Sequence, residues 1–396
     1  MKKTTIIGVD GGASKVSAWQ VIFNHEKKIF CLGELNAEGK YADIPGFLAD
    51  FRPVDVAVQF RELAEEAIKQ TDEEKQQEAV YVEACARAII EIARKSGADN
   101  LLIGIGMPGL KTTDQRGIHV VANGPRMLNY SNLLEKRLEL ENISLAAPIA
   151  RLGSDADYCG IGENYAEEGA FRHVQNAYYL GGGTGVADAL KLKGVLTPFD
   201  QTKSWLAKTW EMKYTDGRSL ERFCSASGIQ SIYADMSGKD IRELNAGGVY
   251  PPQIAQMAAG GDEKARATYQ VVTGALAAII YERIQTLHSG WRNSFEFMNP
   301  NRPPLESDHP YKGLLFERII LGQRLGQLFS DEAGKTVLAA PLLKALDESI
   351  QNSTVLTKEA KEHYRSLEEI VVPSHLREAP ALGAGVDAFF AWENEG

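Results

Sequence analysis

The chain has 396 residues, 44% apolar and 24% charged, the proportions of a globular protein with length for two or three domains and a sizeable core. Its 53 acidic and 43 basic side chains leave a net charge of −10, which weighs against general attraction to nucleic acid or an anionic membrane. Four scattered cysteines (Cys31, Cys85, Cys159 and Cys224) form no C-x-x-C pair and so suit a reducing cytoplasm. No apolar stretch has the length of a membrane span or the layout of a leader.

In chain order, Thr4–Asp10, Lys15–Phe23 and Lys28–Leu32 are predicted as strands of an antiparallel meander. Residues 35–56 read as an elaborated loop. Phe60–Lys69 is predicted as a helix, Asp72–Lys75 as a solvated break, and Glu78–Lys95 as an amphipathic helix ended by Ser96-Gly97. Leu101–Ile105 is a continuous apolar run and is expected to be a buried parallel strand. A short strand at Gly117–Asn123, a helix at Tyr130–Leu138 and a strand at Ser144–Leu152 follow.

Tyr178–Gly181 and Val186–Lys193 then repeat the opening pattern of strand, glycine turn and strand, so a duplicated βββαβα-like arrangement is expected. Beyond it lie helices at Leu220–Ser225, Pro252–Met257 and Asp262–Leu287, and a strand at Arg318–Gly322. A loop at Asn299–His309, a helix at Ala339–Ile350, a strand at Glu369–Pro373 and a closing helix at Ala379–Trp392 complete the reading.

Three places carry chemistry. Asp10-Gly11-Gly12-Ala13-Ser14-Lys15 follows the first strand; it suits a phosphate cradle with Asp10 holding a metal ion, or an ordinary hairpin tip. Asp155 follows a strand, where a carboxylate serves as a general base, or as the N-cap of a helix over Tyr158–Glu167. For that cap Asp157 is the better candidate. Leu180-Gly181-Gly182-Gly183-Thr184-Gly185 suits a second phosphate cradle or another hairpin tip, and it lacks the Lys of a P-loop.

Taken together and in this order, the segments resemble the ROK family of sugar kinases, within the superfamily of hexokinase and actin. Asp10–Lys15 is similar to that family's D-x-G-G-T-K. Gly106-Met107-Pro108-Gly109 with Gly117 and Asn123 is similar to P-G…G…N, and Ser154-Asp155-Ala156 with Gly162-Glu163 to N-D-A…G-E. Leu180–Gly185 resembles L-G-T-G-x-G, and Leu220-Glu221 with Ser225 and Gly228 resembles L-E-x-x-x-S. Ile320-Leu321-Gly322 and Leu382-Gly383-Ala384 resemble the two C-terminal nucleotide-side segments.

The resemblance implies an α/β fold of two ribonuclease-H-like, actin/hexokinase-type domains flanking a cleft. Their expected limits are 1–147 plus 382–396, and 148–381. It implies ATP and Mg²⁺ as cofactors, with Asp155 the catalytic base that deprotonates a sugar hydroxyl and Asp10 at the metal. Gly11, Gly12, Ser14, Lys15, Gly181, Gly182, Gly183, Thr184, Gly322 and Gly383 would bind the nucleotide. Asn123, Ser154, Glu211 and Glu221 would bind the sugar.

The chain departs from the family where Tyr214–Arg218 replaces a Cys-rich zinc motif, so no structural zinc is expected. Glu211 stands in for a glutamate of that region. Ser154, Gly182 and Gln323-Arg324 replace Asn, Thr and two glycines. The expected partner is a small sugar, with no nucleic acid and no membrane, and the family allows a homodimer. A non-catalytic sugar sensor on the same scaffold is the alternative.

Overall fold

The computed structural model describes residues 3–395 of the chain, and residues 1, 2 and 396 of the predicted first domain lie outside it. The chain divides into two compact units, Met1–Glu167 with Glu378–Gly396, and Glu168–Arg377.

In the first unit, β1 (Thr4–Gly11), β2 (Lys15–Asn24) and β3 (Ile29–Lys40) form the expected antiparallel meander. β4 (Asn100–Gly106) runs parallel to β1, and β5 (Leu110–Lys111) pairs with β6 (Ile118–Val120) as a separate ribbon. β7 (Leu152–Gly153) completes a sheet of order β3-β2-β1-β4-β7. Ile7, Val9, Ile103 and Ile105 are buried, because helices cover both faces of the sheet. On one face the C-terminal helix, Ala379–Glu395, lies directly on β1 and β4. Gly8 and Gly104 make this possible: a Cβ at either would sit 1.8 Å from a helix carbonyl, that of Ala381 or Ala384.

Four expectations for this unit change. β3 extends to Lys40, into the stretch read as loop, and α1 is Val56–Ala64, started by the Asp55 side chain accepting from Ala57 N. α2 begins at Asp72 and runs to Ser96, so the acidic stretch is a first turn rather than a break. Thr71 and Glu74 form a capping box there, and Glu74 is buried against the equally buried Arg126 at 2.7 Å. After α3 (Tyr130–Glu139) the strand predicted over Ser144–Leu152 shrinks to β7, because Pro148 has no N–H to give a ladder. Only Leu145 of the earlier part bridges Leu101.

α4 (Asp155–Tyr165) packs against the C-terminal helix, and Ala166 bridges Phe30 of β3. These contacts carry residues 148–167 and 378–381 with the first unit, whereas the sequence reading divided the chain at 147/148 and 381/382.

In the second unit, β8 (Ala177–Gly182), β9 (Val186–Leu192), β10 (Val195–Thr197), β11 (Arg318–Gly322) and β12 (Val371–Pro373) form a sheet of order β10-β9-β8-β11-β12. Order and strand directions repeat those of the first sheet, so the duplication read from the sequence is present. The short α5 (Glu221–Cys224) and α6 (Ala226–Ser237) follow, and then a long helix, Glu263–Ser289. Val272, Leu276, Ile279 and Ile280 of that helix are buried in the core.

Candidate active site

Strand register brings together the candidate residues of the first unit. Asp10 pairs with Gly106 across β1 and β4, and Gly106 pairs with Gly153 across β4 and β7. Asp155 stands two residues beyond Gly153, in the first turn of α4. The N-cap is neither aspartate but Ser154, whose Oγ accepts from Asp157 N at 3.4 Å. Both acids instead face the N-terminal end of a helix dipole. Asp10 is half-buried, and its carboxyl is pushed up to about 7 by burial first, then by the charges of Asp155 and Glu378, with Lys15 opposing. Lys15 itself pairs with Glu38.

The stretch after Asp10 is a hairpin tip, and its carbonyls are tied down. Gly12 N donates to Lys15 O at 2.9 Å. Tyr41 Oη donates to Gly12 O at 3.1 Å, Tyr81 Oη to Ala13 O at 3.2 Å, and Tyr41 N to Ser14 O at 3.2 Å. The N–H groups of Ala13 and Ser14 meet no acceptor among the described residues, and Gly12–Lys15 are exposed. An exposed turn with its carbonyls occupied and its N–H groups open is equipped for an anion.

The second glycine turn joins β8 to β9. Gly181 and Gly182 end β8, Gly183 N donates to Gly185 O at 2.9 Å, and Gly183 O accepts from Ala226 N at 2.9 Å. Thr184 is exposed, and its carbonyl accepts from Ser227 Oγ. Gly322 pairs with Gly181 and caps the helix Gln323–Ser330, with Gln323 at φ 55°. Glu221 opens α5 and accepts from Val186 N at 3.1 Å; burial, the largest influence, raises its carboxyl.

The remaining predicted residues are placed differently. Gly383 lies inside the C-terminal helix, where a Cβ would sit 2.0 Å from Tyr158 O. It is buried in the packing of that helix on α4, so this position serves close approach of two helices. Glu211 ends the single turn Thr209–Glu211; it accepts from Lys208 N at 2.7 Å and pairs with Arg302 at 3.1 Å. Asn123 is exposed in the loop after β6.

Sequence reasoning missed Glu378, Tyr41 and Tyr81, which act on Asp10 and its hairpin. It also missed Asp188, although an acid within the apolar run Val186–Leu192 was a visible signal. Among the described residues, no group of three or more His, Cys, Asp or Glu is arranged to hold a metal, and no helix is long and apolar enough to cross a membrane.

No family model and no curated protein matches the chain by sequence. Solved structures do match its fold. A ROK-family glucokinase from Streptomyces griseus, in complex with glucose and AMPPNP, aligns with a TM-score of 0.59 at 14% identity, over 98% of this chain and 99% of its own. A ROK hexokinase from Thermus thermophilus aligns with a TM-score of 0.55 at 16% identity, over 98% and 99%. A ROK-family transcriptional regulator, a homologue of the E. coli MLC protein, aligns at 0.53 and 13% identity, over 98% of this chain and 79% of its own. With its two sheets of matching order, the chain has the two-domain, actin/hexokinase-type fold of the ROK-family sugar kinases.

Proposed function

We propose that the protein is an ATP- and Mg²⁺-dependent kinase of a hexose or hexosamine, with Asp155 as general base. The observation that supports this best is the row Asp10–Gly106–Gly153, which brings Asp10 and Asp155 to the carboxyl ends of the parallel strands β1, β4 and β7. Ligand crevices in α/β folds lie at the carboxyl ends of such strands. In this reading Asp155 takes the proton from a sugar hydroxyl as that oxygen attacks the terminal phosphorus, a role that needs a carboxylate within about 3 Å of the hydroxyl.

Asp10 fits a cation. Its carboxyl is raised first by burial and then by the charges of Asp155 and Glu378, and a bound divalent ion would offset both. Mg²⁺ is commonly held through one or two carboxylates together with substrate phosphates, so a single protein carboxylate suffices. When bound, Mg²⁺ supplies charge compensation for the phosphates. The open N–H groups of Ala13 and Ser14, with the Ser14 hydroxyl, would receive phosphate oxygens. Gly181–Thr184 and Gly322 would line the rest of the nucleotide. Asn123, Ser154, Glu211 and Glu221 would recognise the acceptor. Four free cysteines are consistent with a cytoplasmic setting for this reading.

Sugar binding without turnover is a second reading, favoured by Glu211, whose carboxylate is already engaged by Arg302 and Lys208 N–H. ADP release, measured over a panel of hexoses and N-acylhexosamines with the wild type and Asp155→Ala, separates the two. Sugar-dependent release that the variant abolishes supports the kinase. Sugar binding by calorimetry with no release supports the sensor.

A further inference from the structure

A charged cluster that the proposed chemistry does not use is buried in the second unit. Asp188 of β9 is 3% exposed. Its carboxylate accepts from Tyr178 Oη at 2.6 Å, Thr209 N at 2.9 Å and Thr209 Oγ1 at 2.6 Å, with Arg283 Nη2 at 3.5 Å. Arg283 in turn pairs with Glu282 at 2.8 Å, and Glu282 accepts from Thr286 Oγ1 at 2.6 Å. All of these side chains are buried. A core needing only packing would not hold two acids and a guanidinium, since burying charge is costly unless every group is partnered.

The partners come from different places in the chain: β8, the long helix Glu263–Ser289, and the single turn that Thr209 opens. That turn leads to Glu221 through a short relay. Lys213 bridges Ser219, Ser219 Oγ donates to Trp210 O at 2.9 Å, and Glu221 N donates to Ser219 Oγ at 3.3 Å. Glu221 then returns to β9 by accepting from Val186 N, two residues before Asp188. One strand therefore holds both ends of the 209–221 segment, through Asp188 at Thr209 and Val186 at Glu221.

We propose that Asp188 is a positioning residue for the sugar: by clamping Thr209 to β9 it sets the 209–221 segment and the aim of Glu211 and Glu221. This rests on the reading of those two glutamates as acceptor-binding groups. Arg283 lies between Asp188 and Glu282, so one guanidinium faces both acids inside the core.

The test is steady-state kinetics on the full chain with the panel hexose it phosphorylates best, joined to amide hydrogen exchange. Asp188→Asn removes the charge and places a donor against Thr209 N–H. Thr209→Val removes the hydroxyl that donates to Asp188 at 2.6 Å, accepts from Arg283 Nη2 at 3.3 Å and meets Tyr178 Oη at 3.4 Å, but keeps every charged side chain of the cluster, so it decides the matter where Asp188→Asn fails to fold. The expected result is a rise in sugar KM of about tenfold for Asp188→Asn and a few-fold for Thr209→Val. ATP KM and kcat should hold within about twofold, with faster exchange confined to 209–221. Equal rises in both KM values, exchange quickened throughout the unit, or no change in either measurement would overturn the proposal. Should the wild type release no ADP with any panel sugar, the kinase reading fails by itself. The exchange pattern then decides whether Asp188 clamps the segment.

Discussion

Tyr41 lies face to face on Tyr81, with ring centroids 3.6 Å apart and planes 15° from parallel. Their hydroxyls take the carbonyls of Gly12 and Ala13, so two aromatic side chains fix a glycine turn that has few restraints of its own. Tyr81→Phe keeps the stack and loses one bond. It should cost about 1 kcal/mol of stability, and raise ATP KM more than sugar KM as the turn loosens. Equal effects on both substrates would remove the hairpin from the nucleotide side.

Asp155→Ala should lower kcat by about 10²- to 10⁴-fold, the usual contribution of a general base, while leaving the unfolding midpoint close to wild type. Asp155→Asn, of nearly the same shape, should be as inactive. A variant with near-wild-type turnover would refute the base assignment.

Asp10 gives a pH signature. Its carboxyl is raised from 3.8 to about 7 in the folded protein, so the folded state holds a proton that the unfolded chain has already lost. Stability from this group is therefore greatest at acid pH and is lost as pH rises from about 4 through about 7. The full shift corresponds to a penalty of up to about 4 kcal/mol above pH 7. Asp10→Asn should raise resistance to urea at pH 8 with chelator present and change little at pH 4, even as it abolishes turnover. An equal effect at both pH values would contradict the shift.

Gly383→Ala separates packing from nucleotide contact. The added methyl would meet the Tyr158 carbonyl, and overpacking of this kind costs about 1–3 kcal/mol. The melting temperature should fall while ATP KM of the folded fraction holds. A rise in ATP KM with unchanged stability would point to a nucleotide contact instead.

Arg126→Ala should be among the most damaging changes in the first unit. It strips the guanidinium from the buried Glu74 and releases Glu62 as well. Breaking a buried ion pair typically costs about 3–5 kcal/mol, to be read from denaturant unfolding.

Strands and glycine turns were legible because their signals are local: apolar runs ending in Gly at Gly11, Gly106, Gly182 and Gly322. The row that aligns Asp10 with Gly153 was not, since it depends on register between strands distant in sequence. Glu74 read as solvated because its charge was visible and Arg126 is far along the chain. Asp188 was passed over as one residue of a strand, because its partners Thr209 and Arg283 come from the segment and helix beyond it. The packing role of Gly383 was not legible either, because the helix it lies against belongs to a distant part of the chain.

The C-terminal helix lies on Gly8 and Gly104, and its Asp387 takes Arg151 and the Tyr158 hydroxyl. Strands that leave the ribosome early therefore wait for a segment made after the whole second unit before their sheet is covered on both faces. During synthesis the second unit has all its own strands while the first still lacks a wall, which reverses the usual N-to-C order of domain completion. A nascent chain stalled before Ala379 would display β1 and β4 bare, an apolar surface of the kind chaperones retain.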